Sequence, residues 1–150
     1  MAHPEVDLEH MLMPTATAAE RTQGLLVLLH PTVLADAIGV KVSSIRNWAS
    51  GQSQPRSNAA IALDDLRTTA KLLLDGGLDP ERVSAWLTSR DPSYWDGMRP
   101  VEAIRLDPMD VFAAAHGVIL EMEKTSEEPG PARKKRVRRE RALALVSAPK

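Results

Sequence analysis

Ser43, Ser44, Arg46 and Asn47 stand together in the run Val42-Ser43-Ser44-Ile45-Arg46-Asn47-Trp48. Val42, Ile45 and Trp48 recur every third residue, so on a helix they share one apolar face and turn the polar four the other way. Those polar types suit one chemistry in particular. Arginine can pair bidentately with guanine, asparagine with adenine, and serine hydroxyls reach bases or phosphates. Lys41 before the run, and Gln54 and Arg56 after it, are natural phosphate contacts. A solvated helix also shows a polar face, so the surrounding spacing has to discriminate.

That spacing is specific. Leu34, Ala35, Gly39, Val40, Ile45, Trp48, Gly51 and Pro55 form the pattern L-A-x-x-x-G-V-x-x-x-x-I-x-x-W-x-x-G-x-x-x-P. Two short helices meeting steeply need a small residue at their approach, which Ala35 supplies, and a residue free to take positive φ at the turn, which Gly39 supplies. Leu34, Ile38, Val40, Ile45 and Trp48 supply the apolar anchors. The pattern predicts a helix-turn-helix that reads double-stranded DNA, with helices over 32–38 and 42–49 and Ser43, Ser44, Arg46 and Asn47 facing the bases.

The flanking chain supplies supporting helices. Residues 1–14 read as a loose arm ending at Met13-Pro14. The stretch from Thr15 to His30 is helical, with Thr15 or Thr17 as cap, Leu25, Leu26, Leu28 and Leu29 as its apolar side and Gly24 as an internal weakness. His30-Pro31 ends it. A long helix is expected from Ser57, a good cap, to Asp75, with Ile61, Leu63, Leu66, Ala70, Leu73 and Leu74 inward and Gly76-Gly77 as the stop. Asp79-Pro80 opens another helix through Val83, Trp86 and Leu87. A structured loop over 91–100, a short helix through Val101 to Leu106 and a last helix from Asp107-Pro108 to Glu123 follow. No stretch alternates as a strand does, and the fold class is all-α. The domains expected are 15–78 for DNA, 79–123 as a small helical partner-binding module, and 124–150 as a disordered basic tail with a helical patch at 138–146.

Composition narrows the classes. The 150 residues are 43% hydrophobic, 26% charged and only 3% aromatic, in the range of soluble globular chains. Cysteine is absent, which excludes a disulfide framework and a cysteine zinc finger. His3, His10, His30 and His116 lack metal-ligand spacing, no glycine-rich phosphate loop occurs, and Ser89 and Ser93 form no nucleophile–base pattern. Catalytic residues, metal and cofactor are therefore expected to be none, and the chain is expected not to be an enzyme. No signal peptide or membrane span is read, and a cytoplasmic, nucleoid-associated place is expected. The net charge of −1 conceals an asymmetry: residues 1–132 carry 11 Lys/Arg against 19 Asp/Glu, and residues 133–150 carry 8 against 1. An acidic body with a basic end is a polarised molecule.

The run from Leu34 to Pro55 resembles the phage-repressor (Cro/Xre-like) helix-turn-helix family, although Val33 stands where that family often has a polar residue. Residues 80–122 resemble the toxin-binding domain of Xre/MbcA/ParS-type antitoxins through Val83, Trp86-Leu87, Asp91-Pro92, Gly97-Met98-Arg99-Pro100, Val101 to Leu106, and Asp110-Val111 leading to Ala113-Ala114-Ala115. The resemblance covers about Leu25 to Glu121. It implies an antitoxin that represses its own operon and neutralises a toxin of RES or ADP-ribosylating type. Tyr94, Trp95 and Arg99 are the partner-contact candidates, because tyrosine, tryptophan and arginine dominate interface hot spots. Packing of Trp95 in a small core and a structural salt bridge for Arg99 are the competing roles. A homodimer on operator DNA is expected. The alternatives are a stand-alone helix-turn-helix repressor of phage-immunity or developmental type, and a scaffold whose basic end binds acidic partners.

Overall fold

The computed structural model of the chain describes residues 4–90 and 95–126. Among these the fold is all-α, with eight α-helices and no strand. They are α1 (Pro4–Met11), α2 (Ala18–Leu28), α3 (Pro31–Ile38), α4 (Val42–Ser50), α5 (Ser57–Asp75), α6 (Pro80–Thr88), α7 (Pro100–Ala103) and α8 (Pro108–Ser126). A single 3-10 turn at Trp95–Gly97 precedes α7. One compact unit extends to Ala115, and a second begins at His116 within α8. The disordered tail expected from 124 is corrected at its start, because α8 continues to Ser126; the rest of that tail with its helical patch, and residues 91–94 with Asp91-Pro92 and Tyr94, lie outside the described residues.

Local chemistry sets the helix starts. Thr17, rather than Thr15, caps α2: its hydroxyl accepts from the Glu20 amide at 3.1 Å while the Glu20 carboxylate accepts from the Thr17 amide at 2.8 Å. His30 starts α3 by accepting from the Thr32 amide through Nδ1 at 3.1 Å, and Pro31 takes the first helical position. Asp79 does the same for α6 through the Arg82 amide at 2.8 Å, and Asp107 accepts from the Asp110 amide at 3.2 Å at the head of α8. Gly39 and Gly51 leave α3 and α4 in the left-handed region, at φ 88° and 83°.

The expected cap of α5 is corrected. Arg56 occupies the N-cap position and makes no side-chain cap, and Ser57 sits inside the helix at φ 52°. The loop after Gly51 delivers the chain from an extended Arg56, so the hydroxyl of Ser57 is one residue late for the first-turn amides.

Packing centres on α2, which lies against α1, α3, α4, α5 and α6. Leu25, Leu28 and Leu29 are buried there, with Leu34, Ile38, Ile45, Leu63, Leu66 and Leu73 around them. α6 and α7 pack on the same body: α6 meets α2 and α5, and α7 meets α3 and α6. Val83, Leu87, Val101 and Ile104 are fully buried in those contacts.

The loose arm expected over residues 1–14 is also corrected. Residues 4–11 form α1, which packs on α2, and Leu8 and Leu12 are buried. Two residues explain this. Gly24 of α2 leaves room for the approach, since a Cβ there would stand 3.0 Å from both Leu12 Cδ2 and Met11 Cβ. Arg67 of α5, itself buried, donates to the Leu12 carbonyl at 2.8 Å and to Asp64 at 2.7 Å. An apolar-spacing argument passes over both, because one residue has no side chain and the other is charged.

Candidate nucleic-acid interface

α3 and α4 are joined by Gly39, Val40 and Lys41. The amides of Gly39 and Val40 both donate to the Ala35 carbonyl, at 2.8 and 3.0 Å, closing α3 as the chain reverses. Ala35, 2% exposed, lies in that closure. From the turn, α4 descends with Ile45 and Trp48 buried and Val42 half-buried, as their spacing requires. Gln23 of α2 donates to the Ala49 carbonyl at 2.7 Å and holds the far end of α4. The helix is therefore gripped along one side and at its last turn.

Its other side faces outward. Lys41, Ser43, Arg46 and Asn47 are exposed, and Ser44 is half-buried toward the body. Gln54 and Arg56 are exposed in the connection to α5. The structure thus brings the residues singled out for DNA onto α4 and its two flanks, with Ser44 the least accessible.

Charge sharpens the picture. Arg21 and Arg67 pair with Asp64, Lys71 with Asp75 and Glu9, and Arg90 and Arg99 with Glu102. Among the described residues no carboxylate pairs with Lys41, Arg46 or Arg56, so cations without acidic partners gather at α4. The helix starts show a parallel contrast. α2, α3 and α6 are closed by side chains, whereas α4 and α5 begin at Lys41 and Arg56 with no side-chain cap. First-turn amides without a side-chain acceptor, next to a cation, are a ready anion site.

The partner-contact candidates sit differently. Trp95 is half-buried and its indole N–H donates to Asp110 of α8. Trp95, Asp96 and Gly97 all hold positive φ, at 39°, 56° and 86°, a conformation that costs non-glycine residues energy and is kept only where neighbours enforce it. Arg99 is half-buried; its amide and guanidinium each donate to Glu102, both at 3.0 Å. Those bonds, the amide of Arg99 first, hold the Glu102 carboxyl below the ordinary carboxylate range, with Arg90 adding to the effect.

The sequence reading passed over a groove of about 370 Å³ lined by Ile38, Ile61, Ala62, Asp65, Ile104 and Arg105, among others. Ile61, expected in the core, is instead 61% exposed in its lining, and Leu106 and Met109, which follow the lining residues Arg105 and Pro108 in the chain, are exposed. Burial, and then the neighbouring Asp64 charge, raise the Asp65 carboxyl above its ordinary value. The signal available was the stretch Val101–Leu106, where Val101, Ala103, Ile104 and Leu106 are apolar around Glu102 and Arg105, one apolar residue more than the buried face takes. Among the described residues, no group of three His, Cys, Asp or Glu is placed to hold a metal ion, and no helix is long and apolar enough to cross a membrane.

Comparison of the chain with protein-family models, with curated proteins and with solved structures returned no match.

Proposed function

We propose that the chain is a sequence-specific double-stranded DNA-binding regulator, with α3, Gly39–Lys41 and α4 acting as a helix-turn-helix. The observation that carries this reading is the outward face of α4. Ser43, Arg46 and Asn47, residue types able to read bases, lie exposed there, flanked by Lys41 and Arg56, in an otherwise acidic body. In this reading α4 enters the major groove, Arg46 and Asn47 contact base edges, and Lys41, Gln54 and Arg56 hold phosphates, helped by the uncapped starts of α4 and α5. A homodimer would present two such helices to half-sites about one DNA turn apart. No step of this role needs catalysis or a cofactor.

The finer role is antitoxin and autorepressor, with residues 79–123 engaging a toxin of RES or ADP-ribosylating type. It rests on the residue pattern of that run. A repressor acting without a toxin is the rival. The test is selection of duplexes from a randomised library by the purified chain, with co-purification from the native operon beside it. Enrichment of a shared sequence motif supports the regulator. Recovery of the same duplexes as the unselected pool overturns it. A co-purifying neighbour-encoded enzyme supports the antitoxin, and a chain that selects DNA but carries no such enzyme favours the lone repressor.

A further inference from the structure

Arg105 follows α7 in the chain but reaches the turn that launches α4. Its Nη1 donates to the Ile38 carbonyl, the last residue of α3, at 3.3 Å across 67 positions of sequence. It also fills the space over Gly39. A Cβ on that glycine would stand 2.2 Å from Arg105 Nη1 and 3.2 Å from Cζ, and Gly39 already holds φ 88°. Gly39 is thus required by its backbone angle, while the guanidinium lying on it is the far end of a flexible side chain that a Cβ would displace.

The consequence for α4 follows from what a helix end lacks. The last carbonyls of α3 have no partner within the helix. Ala35 accepts from Gly39 and Val40, and Arg105 supplies a donor to Ile38 at the point where the chain turns. A cation beside a helix C-terminus also meets the negative end of its dipole. Ile104, fully buried next to it, anchors the base of the arginine. The α3–α4 turn is therefore closed from outside the segment 15–78.

We infer that Arg105 is a positioning residue, by which the 79–115 part of the chain sets the α3–α4 turn and hence the aim of α4. The inference rests on the reading of α4 as the DNA-contacting helix, and its experiment separates the two. Arg105→Ala, Arg105→Met, which keeps an apolar stem, and Arg105→Lys, which keeps a donor, are made in the full chain. Amide hydrogen exchange is followed without DNA at Gly39 and Val40, and at Ser44 and Ile45, which donate to the Lys41 carbonyl. Loss of one charge-assisted hydrogen bond should speed exchange there by roughly tenfold in the Ala and Met variants, with Lys restoring much of the protection and α6 amides unmoved. Unchanged exchange at the turn overturns the inference, as does an equal rise at the turn and in α6.

Affinity is then measured for a duplex that the wild-type chain selects from the randomised library and for a scrambled duplex of the same length. A positioning role lowers affinity for the selected duplex about tenfold while affinity for the scrambled one and the salt slope stay put. An equal loss on both duplexes with a shallower slope makes Arg105 a phosphate contact and overturns the inference. If the wild-type chain selects no duplex, the DNA reading fails, and exchange at the turn alone decides for or against Arg105.

Discussion

Gln23 and Ala49 are 26 residues apart in sequence, yet Gln23 Nε2 donates to the Ala49 carbonyl at 2.7 Å. The bond runs from the exposed flank of α2 to the last turn of α4, where the helix has no internal donors left for its carbonyls. Together with buried Ile45 and Trp48 it fixes α4 without using any residue of the outward face. The grip on α4 and its outward face are thus carried by separate side chains, and substitutions can address one without the other.

Arg46→Ala and Asn47→Ala should each weaken binding to the selected duplex by about 1–3 kcal/mol. Both side chains are exposed, so the melting temperature should stay near that of the wild type. Gel-shift titration against selected and scrambled duplexes, alongside thermal melting, checks both halves. Equal affinity of variant and wild type for the selected duplex would remove these residues from base reading.

Trp48→Ala addresses the scaffold. The residue is 5% exposed in α4, which packs on α2 and α3, and truncating a buried tryptophan costs about 3–5 kcal/mol. That is a large share of the stability of a domain of this size. Chemical denaturation should show a lowered midpoint at constant slope, and an unaltered midpoint would contradict the facing of α4.

Gly24→Ala sets two effects against each other. Alanine in a helix gains about 1 kcal/mol over glycine. The new Cβ, however, meets Met11 Cβ and Leu12 Cδ2 at 3.0 Å, and overpacking costs about 1–3 kcal/mol. Met11 Cβ is attached directly to the backbone of α1 and cannot swing aside, so the net change should be destabilising. Limited proteolysis should cut first between α1 and α2. A variant more stable than the wild type would show that α1 does not need this close approach.

Glu102 gives the corner before α7 a pH dependence. Its carboxyl is held low by the Arg99 amide and by the Arg99 and Arg90 guanidiniums, so the folded form binds its proton less readily than the unfolded one. The stabilisation is present at neutral pH and is lost as pH falls through the ordinary carboxylate range toward the lower folded value. Glu102→Gln should therefore melt lower than the wild type near neutrality, and the gap should close on acidification. Melting curves across that pH range test the sign, and a gap that persists in acid would point to packing instead.

The local rules wrote much of this fold directly into the sequence. Prolines at 31, 80 and 108, the Thr17–Glu20 pair, and Asp79 and Asp107 mark helix starts by bonds that span only a few residues. Gly39 and Gly51 mark ends by backbone freedom alone, and the three-residue spacing of Val42, Ile45 and Trp48 turned the face of α4 inward. Each of these depends on neighbours within one or two turns, so the sequence by itself decided the all-α class, the span of α4 and the outward place of Arg46 and Asn47. Tertiary structure decided the rest. Periodicity says which side of α5 is apolar but not where its neighbours stop, so Ile61 is left exposed in a groove's lining while charged Arg67 is buried beneath α1. Long side chains with several donors act far from their own sequence position. Arg67 reaches back 55 residues to Leu12 and Arg105 reaches back 67 to Ile38, and only packing of α1, α5 and α7 brought those carbonyls within range.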